Sequence, residues 1–440
     1  MADTDLAAEA AIYGYPLVFD LSEVVSFVHA GMGSLPASPF NRFSHATQLA
    51  GPGDKFVSIN NDTIYSIAML DLSGGPLRLH VPDTGGRYYV LQFVDAWTNN
   101  FAYVGTRATG NAEATFLLTG PDWDGDGPEG ATRIACPTAV ATIVGRWACD
   151  GEADLPAVAG LQQQLTLEPL DGNGPLAGVP TPMQDVPDEI AFFERVRTWM
   201  QAFPPSAEDQ AYQEAFTPLG LLDPESPYVD APAELVATLQ AGMAAARGTL
   251  EELSRGGPAE PVNGWHVMPH AFDYNVDHLG LGTVDSPEWK IADRARARAM
   301  RAVAARVGLW GNHGYEAVYA QVFQDADGNL LDGAKQYTIT FPEQPPVDAF
   351  WSLTMYDTPD YYLVDNPIGR HSIGDRTPGL QYDDDGSLTL YLQHDVPEDV
   401  VAKANWLPAP EGDFRPLLRL YQPGDAILDG SYVLPPIVRR

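Results

Sequence analysis

The sequence is poor in cysteine and in basic residues. Its 440 residues include two cysteines, Cys136 and Cys149, and 25 Lys or Arg against 59 Asp or Glu. Two thiols cannot supply the four ligands of a structural zinc site. We expect both to be buried and reduced, with one disulfide between them as the alternative. The net charge of −34 opposes binding to nucleic acids and to anionic membrane surfaces, leaves cationic or neutral small molecules as partners, and favours solubility.

Several sequence signatures are also missing. There is no Gly-x-Ser-x-Gly elbow, Walker loop or His-Glu-x-x-His motif, and the glycine-rich stretch at 308–314 follows a predicted helix rather than a strand. We therefore predict no cofactor. No apolar run reads as a membrane span, and residues 1–5 lack the basic region of a signal peptide. These features predict a cytoplasmic protein, unless a leader has been removed.

What the chain does contain is many turn residues, 41 Gly and 38 Pro, between short strand-like runs. The pattern predicts a multidomain α and β fold: two antiparallel β-sandwich modules, jelly-roll-like, with a helical middle region. Helical periodicity is expected at 4–29, 154–170, 192–203, 231–255 and 286–307. The predicted divisions are an N-terminal helical segment at 1–50, a β module at 51–150, a helical region at 151–315 and a second β module at 316–440. The helical region includes a Pro/Gly-rich linker near 171–187. We find no repeat of solenoid period.

Eight short strings carry a family resemblance. Four lie in the N-terminal half: Asn-Asn-Asp-Thr-Ile-Tyr-Ser at 60–66, His-Val-Pro-Asp at 80–83, Gly-Arg-Tyr-Tyr-Val-Leu-Gln at 86–92 and Asp-Ala-Trp-Thr-Asn at 95–99. Four lie in the C-terminal half: Phe-Trp-Ser-Leu-Thr-Met-Tyr-Asp at 350–357, Asn-Pro-Ile-Gly-Arg-His-Ser-Ile-Gly-Asp-Arg at 366–376, Asp-Gly-Ser-Leu at 385–388 and Asn-Trp-Leu-Pro-Ala-Pro at 405–410. The first set resembles bacterial domain of unknown function 1254, and the second resembles its usual companion, domain of unknown function 1214. The resemblance implies two β-sandwich-like modules around helices, and it implies no reaction.

Polar residues at 60–66 form the first candidate site. Asn60 and Asn61 are predicted to bind substrate, Asp62 to act as base or cation partner, and Tyr65 to donate a hydrogen bond. The alternative is an Asx or ST turn that only caps its own backbone. Asp95 and Trp97 end an apolar strand and are assigned to substrate binding, with a buried, loop-holding Asp95 as the alternative.

Basic residues in an acidic chain form the second candidate site. His371 is predicted to act in acid/base chemistry, with Arg370 and Arg376 stabilising an anion or oxyanion; the alternative is an ion-pair network that pins the loop. Trp351 and Trp406 are predicted as apolar walls. A metal site is not predicted: Pro269 disfavours a helix that would align His266 with His270, and the Asp-Gly loops at 122–127 and 325–329 lack the Glu of a calcium loop.

These assignments lead to three functional hypotheses. The first is a cofactor-independent enzyme, a hydrolase or lyase, acting on a small, partly apolar organic substrate in a pocket between the β modules. The second is a non-catalytic carbohydrate- or small-molecule-binding protein. The third is an interaction-mediating subunit of an oligomer, and a homo-oligomer is compatible with all three.

Overall fold

The computed structural model describes residues 4–55, 57–128, 130–170, 172–255 and 260–440. Residues 1–3 of the predicted N-terminal segment and residue 171 of the predicted linker lie outside this range. Within it, the helices are α1 Thr4–Ala30, α2 Leu155–Gln162, α3 Ala191–Ala202, α4 Ala207–Gln213, α5 Ala233–Arg255, α6 Arg294–Gly308, α7 Val400–Ala404 and α8 Asp425–Leu428. The strands are β1 Ser44–His45, β2 Thr63–Asp71, β3 Leu77–Val81, β4 Tyr89–Asp95, β5 Asn100–Gly105, β6 Ala114–Thr119, β7 Thr132–Ala135, β8 Val140–Ala148, β9 Thr166–Pro169, β10 Trp265–Val267, β11 Ala317–Val322, β12 Tyr337–Phe341, β13 Val347–Asp357, β14 Ser372–Gly374, β15 Leu388–Gln393, β16 Trp406–Pro408, β17 Phe414–Pro423 and β18 Val438–Arg439.

Strands β1 to β9 build the N-terminal β module. Five of them form a sheet in the order β1-β2-β8-β4-β5, and four form a sheet in the order β7-β6-β3-β9. Met69 and Phe93 of the first sheet share one buried core with Leu79 and Leu118 of the second. The two sheets therefore face each other as a sandwich, because each must cover its apolar face.

Strands β10 to β18 build the C-terminal β module with the same topology. Its five-stranded sheet has the order β10-β11-β17-β13-β14, and its four-stranded sheet has the order β16-β15-β12-β18. Counted along the chain, β1 corresponds to β10 and each later strand corresponds to the strand nine places on. The chain thus contains the same nine-stranded unit twice.

The strand pairing departs from the predicted pattern in two places. Each four-stranded sheet contains one parallel pair, β6 with β7 and β15 with β16, so these sheets are mixed rather than purely antiparallel. The helix predicted over 154–170 ends at Gln162, and β9 pairs with the edge of β3. Residues 166–169 form backbone hydrogen bonds with that edge, and these bonds stabilise a strand although the sequence periodicity predicts a helix.

The longer helices pack together around α1, whereas the short α7 and α8 contact β15 and β17 of the C-terminal module. Among the described residues, α1 is the one helix long and apolar enough to cross a membrane, whereas the sequence was expected to have no such segment. In this structure Leu17, Leu21 and Val24 of α1 are fully buried in the N-terminal core. α1 also contacts α3, α5 and α6, so its apolar face is covered by protein.

The two β modules meet through the outer faces of their five-stranded sheets. Tyr88 and Val90 of the N-terminal module share a buried cluster with Phe350 and Tyr421 of the C-terminal module. The Phe350 and Tyr421 rings are stacked with centroids 4.1 Å apart, and Tyr88 meets Phe350 edge-on at 5.5 Å. The central strands are consequently buried on both faces, which explains why β4, β8 and β17 are buried at every residue.

Candidate functional site

A row of four residues crosses each five-stranded sheet at the same position. Register places them side by side on neighbouring strands. The first row is Tyr65, Arg146, Val90 and Gly105, and the second row is Tyr319, Arg419, Ser352 and Gly374. The two rows occupy equivalent strands of the duplicated unit, and each carries one tyrosine beside one arginine.

Each arginine is held by a segment from the other module. Arg146 donates to the carbonyl oxygen of Trp310 at 2.8 Å, and Arg419 donates to that of Ser58 at 2.7 Å. Both accepting residues have a left-handed backbone, with φ of 62° for Trp310 and 54° for Ser58. We call residues 58–62 the first arm and residues 310–316 the second arm; they precede β2 and β11.

The first arm is bonded along its length to the C-terminal module. The Asn60 amide donates to the phenol of Tyr421 at 2.5 Å. One carboxylate oxygen of Asp62 accepts from the Ser352 hydroxyl at 2.6 Å and from Tyr421 at 3.1 Å. The Ile59 carbonyl accepts from Tyr356 at 2.6 Å. Because these groups are buried, their hydrogen bonds hold the arm in one conformation.

The second arm makes the reciprocal contacts with the N-terminal module. Glu316 accepts from Arg107 at 2.6 Å and from the Tyr88 phenol at 3.2 Å. The backbone N–H of His313 donates to Tyr103 at 3.1 Å. Asp62 and Glu316 each lie three residues before the row tyrosine, so the arms place one carboxylate in each half of the junction. Burial raises the pKa of Glu316, and Arg107 opposes that shift.

Three arginines at this junction are buried without a carboxylate partner. Arg146, Arg415 and Arg419 are 6%, 5% and 3% exposed. Their acceptors are neutral amide, hydroxyl, phenol and carbonyl oxygens, and no ion pair joins them to an acid in the part of the chain that the structure describes. Burial, together with neighbouring Arg419, lowers the pKa of Arg415 to about 10. The Arg415 Nε has no hydrogen-bond partner.

The pKa of Arg419 follows a different balance. Burial alone would lower it, but the phenols of Tyr356 and Tyr421 and the Asp62 carboxylate raise it well above its ordinary value. The guanidinium therefore stays charged although it is buried. The junction is a positively charged interior, which we call the arginine cluster: Arg146, Arg415 and Arg419.

The two row tyrosines connect the arginine cluster to solvent. Tyr65 and Tyr319 are partly exposed, whereas Tyr421 between them is 1% exposed. The Arg146 guanidinium lies 5.5 Å from the centroid of the Tyr65 ring and interacts electrostatically with Tyr65, Tyr319 and Tyr421. Tyr319 also packs against three separate apolar clusters. These contacts bring phenols, guanidiniums and apolar rings together around the row tyrosines.

The predicted residues at 60–66 all belong to this junction. The Asx turn is present, since the Asn60 side-chain oxygen accepts from the backbone N–H groups of Asp62 and Thr63, and the same side chain also reaches the other module. The Asn61 amide oxygen accepts from Ser372 at 3.3 Å. The turn and the intermodule contact therefore occur together.

The predicted basic loop is divided between the junction and its own module. Arg376 donates to the Asp62 carbonyl at 3.1 Å, pairs with Asp150 at 2.8 Å and lies over the Phe350 ring at 3.6 Å. Arg370 instead donates to the Ala404 and Trp406 carbonyls. One ring nitrogen of His371 lies 2.9 Å from the Val364 carbonyl. In this structure Arg370 and His371 hold the loop.

The remaining predicted binding residues lie inside the modules. Trp97, Trp351 and Trp406 are at most 1% exposed, and each indole N–H already donates to a protein oxygen. Asp95 accepts from the backbone N–H groups of Trp97 and Asn99, which is the loop-holding arrangement given as its alternative. These side chains have no surface left on which a ligand could stack.

The metal and cysteine predictions have structural outcomes as well. His270 pairs with Asp273 at 2.6 Å, and His266 lies on β10; no cluster of three metal-ligating side chains occurs among the described residues. Asp325 caps its own turn. Cys136 and Cys149 are buried and free, so the disulfide alternative is excluded in this structure.

Two cavities lie away from the junction. One of about 500 Å³ is lined by residues that include Met200, Gln213 and Leu222. The other, of about 300 Å³, is lined by residues that include Lys335 and His394. Neither contains a residue of the predicted site.

Sequence reasoning missed the residues that dominate the site: Arg107, Arg146, Glu316, Tyr319, Arg415, Arg419 and Tyr421. A signal was present. Arg146 interrupts the apolar run Val-Ala-Thr-Ile-Val-Gly-Arg-Trp-Ala, and Arg419 lies in Leu-Leu-Arg-Leu-Tyr. A charge within a strand buried on both faces requires a polar environment, so these two arginines marked a polar interior.

We expect His313 of the second arm to make stability depend on pH. Burial and the nearby Arg107 charge lower its pKa to about 3 from an ordinary 6.5. The unfolded chain therefore takes up this proton first as pH falls, and stability is lost from about pH 6.5 downwards. Between pH 7 and pH 5 the loss from this group should reach about 2 kcal/mol.

Urea unfolding of wild type and His313→Gln at both pH values measures this contribution. The difference in unfolding free energy between pH 7 and pH 5 should be smaller in the variant by about that amount. Glu316 responds in the opposite sense, because its pKa is raised, but it is present in both proteins. Equal pH dependence in the two proteins would contradict the assignment.

Comparison with known proteins agrees with this two-module architecture. The family described as Protein of unknown function (DUF1254) matches residues 40–169, and the one described as Protein of unknown function (DUF1214) matches residues 316–425. The VPA0106 protein from Vibrio parahaemolyticus is 25% identical and superposes with a TM-score of 0.74 over 100% of both chains. A Burkholderia cenocepacia protein is 11% identical, with a TM-score of 0.46 over 97% of this chain and 87% of its own. No curated protein matches the chain. The chain therefore belongs to the proteins that combine an N-terminal domain of unknown function 1254 with a C-terminal domain of unknown function 1214.

Proposed function

We propose that the protein binds a small, anionic, partly apolar organic molecule at the junction of the two β modules. The observation that supports this most directly is the arginine cluster, three buried guanidiniums without a carboxylate partner. Buried charges are costly unless they are paired. A carboxylate-bearing ligand would supply the missing charge and accept bidentate hydrogen bonds.

The surroundings fit the apolar part of such a ligand. Tyr65 and Tyr319 are partly exposed at the junction, and Tyr88, Phe350 and Tyr421 form a buried aromatic cluster at the same junction. Sites for small molecules commonly combine an apolar lining with a few fixed polar groups. A carbohydrate is a poorer fit, because the tryptophans expected to stack on it are enclosed in the cores.

Calorimetric titration with phenylacetate and hexanoate, beside the neutral phenylacetamide and hexanamide, tests this proposal. We expect the carboxylates to bind and the amides not to bind, because charge-assisted hydrogen bonds to Arg carry the affinity. Arg419→Lys keeps a positive charge but removes the planar fork, so it should weaken carboxylate binding by about tenfold.

Arg78→Lys is the matched control. Arg78 also lies on a strand, but that strand is β3 of the four-stranded sheet, which does not form the junction, and its side chain is 48% exposed. It should bind the carboxylates as wild type does. Equal binding of acids and amides, or equal loss in both variants, would contradict the proposal.

A cofactor-independent hydrolase or lyase is the second candidate, and the contacts of Asp62 favour it. Its carboxylate accepts from the hydroxyl of Ser352 and the phenol of Tyr421, an arrangement in which a carboxylate can accept a proton from a reacting group. Asp62→Asn should then retain carboxylate binding and lose turnover of a bound ester or hydroxy acid. Binding without turnover in the wild type would favour the non-catalytic alternative.

A further inference from the structure

We infer that the protein has a second binding site, for a protonated aliphatic amine, in the cavity of about 500 Å³ where α3 meets α4. None of the residues that line this cavity belongs to the junction, so the inference goes beyond the proposed function and does not depend on it. It follows from the composition of the cavity wall, from the hydrogen bonds that orient its glutamines, and from one buried amide oxygen without a donor.

The wall of the cavity is formed by the end of α3, one face of α4 and the chain on either side of α4. Its polar side chains are Gln201, Gln210, Gln213 and Glu214, and its other side chains are apolar. Gln210 and Glu214 are four residues apart and therefore lie on the same side of α4 and the turn that continues it. In the part of the chain that the structure describes, the lining contains no basic side chain. A cavity of this size with an apolar wall and a few polar groups is typical of a site for a small molecule.

Two of the glutamines use their amide nitrogen within the protein. The Gln201 Nε2 donates to the Asp223 carbonyl oxygen, and the Gln210 Nε2 donates to that of Pro205, each at 2.8 Å. Because a carbonyl oxygen only accepts hydrogen bonds, the nitrogen of each amide must face it, and this orients the amide oxygen. Neither amide oxygen has a donor among the described residues. The oxygen of each side chain is therefore left as an acceptor for a ligand.

The third glutamine supplies the buried acceptor. Gln213 is 5% exposed, and its Nε2 donates to the Tyr13 phenol at 2.9 Å. Its Oε1 has no hydrogen-bond donor within the described ranges of the chain. Gln213 lines the cavity, and because its nitrogen is directed at Tyr13, its oxygen is the group that remains for the cavity. A buried amide oxygen without a donor costs free energy, and an N–H group of a ligand would recover it.

These acceptors favour a cationic ligand that donates hydrogen bonds. An ammonium group has three N–H donors and no acceptor. The wall offers it the three amide oxygens and the Glu214 carboxylate, which forms no ion pair with any described residue. Hydrogen bonds from an ammonium group to these oxygens are charge-assisted and therefore stronger than those from a neutral donor.

The apolar part of the wall favours an amine over a metal ion. Met200, Pro204 and Leu222 provide a surface for an aliphatic chain. Calcium requires about six to eight oxygen ligands, whereas no cluster of three metal-ligating side chains occurs among the described residues. An aliphatic amine, which is charged at pH 7 as lysine is, matches both the oxygen acceptors and the apolar surface.

Titration calorimetry of the full-length protein at pH 7 and physiological ionic strength tests the inference. The probes are the chloride salts of n-butylammonium and tetramethylammonium, and neutral n-butanol. We expect n-butylammonium to bind about tenfold or more tightly than n-butanol, which lacks the charge, and than tetramethylammonium, which lacks N–H donors. Absence of n-butylammonium binding, or equal or tighter binding of either other probe, would overturn the inference.

Variants of the wall locate the site. Gln213→Met keeps the length of the side chain and removes the amide, so it should weaken n-butylammonium binding by about tenfold. Glu214→Gln removes the charge and should weaken binding by a similar factor. The matched controls are Gln164→Met and Glu234→Gln. Both positions are exposed and outside the cavity, and the Gln164 amide likewise donates to a backbone carbonyl, so both controls should bind as the wild type does.

Tm in the absence of ligand shows whether Gln213→Met is folded, because Tyr13 loses a hydrogen-bond donor in that variant. If it is not folded, Gln201→Met and Gln210→Met replace it, since both positions are exposed, and each should weaken binding by a smaller factor. Equal weakening by Glu214→Gln and Glu234→Gln would show general attraction to the acidic surface and would overturn the inference. None of these outcomes bears on the binding of carboxylates at the junction, so the two proposals are tested separately.

Discussion

Asp62→Ala is expected to destabilise the protein by about 3–5 kcal/mol, the range found when one partner of a buried charged group is removed. Asp62 is 4% exposed and accepts from Ser352 and Tyr421. Its carboxylate also offsets the charge of Arg419. The alanine variant would leave two hydroxyl donors without their acceptor and a buried guanidinium without its nearest negative charge. The midpoint of urea unfolding at pH 7 measures the effect.

Two variants control this experiment. Asp62→Asn keeps an acceptor oxygen and loses the charge, so its loss should be smaller, about 1–3 kcal/mol. Asp150→Ala removes the acid paired with Arg376 at the surface, where the Asp150 side chain is 57% exposed. Such a pair is worth less than about 1 kcal/mol. Equal losses of unfolding free energy in Asp62→Ala and Asp150→Ala would show that the buried Asp62 contributes no more to stability than a surface ion pair does.

Gly374→Ala is expected to cost about 3 kcal/mol, at the upper end of the ordinary range for overpacking. A Cβ atom at this position would lie 2.0 Å from the Trp351 carbonyl oxygen and 2.9 Å from the Ser352 Cα. Both are backbone atoms of β13, so relief requires the two strands to separate. Because β13 carries Ser352 of the second row, carboxylate binding should weaken as well. Urea unfolding and titration calorimetry measure the two effects.

Two further glycine variants test the same explanation, one at the equivalent position of the first row and one on an exposed helix face. Gly105, in the first row, would place its Cβ 2.5 Å from the Tyr89 carbonyl oxygen, so Gly105→Ala should also destabilise, but by less. Gly248 lies on the exposed side of α5 with nothing within 4 Å of its Cβ. Gly248→Ala should leave stability unchanged or raise it by up to about 1 kcal/mol. A neutral Gly374→Ala would refute the close strand approach.

The net charge of the chain is negative, whereas the arginine cluster in its interior is positive. A net charge of −34 disfavours anionic macromolecules, whose binding depends on the summed field. The arginine cluster is buried, however, and a small anion there would experience the nearby guanidiniums much more than the screened surface. The overall charge is therefore a guide to macromolecular partners and a poor guide to a small ligand.

The order of the elements was predictable, and some of their partners were not. α1 and α3 were predicted from apolar periodicity and are confirmed. Alternating runs predicted β11, β12 and β15, which are also confirmed. The end of α2 and the strand β9 were not predicted, because a few residues at 166–169 are decided by pairing with β3, a contact distant in sequence.

The site was predicted in part. The strings at 60–66 and 366–376 drew attention to Asn60, Asp62 and Arg376, which do meet. Arg370 and His371 were selected for their charge, but their carbonyl partners place them in loop support. Arg146 and Arg419 were passed over because a single arginine in an apolar strand shows no motif around it.

By itself, the sequence determined the family, the two β modules with helices between them, and the polar segment that begins β2, since periodicity, turn residues and short strings are local properties. Only the tertiary structure decided that the two modules repeat one nine-stranded topology, that each sends an arm into the other, and that the three arginines of the cluster are buried there without an ion pair to a carboxylate. The physical reason is that burial and pairing across a sheet are set by residues hundreds of positions apart. The scarcity of basic residues in this chain makes this placement notable, because three of its 25 basic residues lie in the interior of one junction.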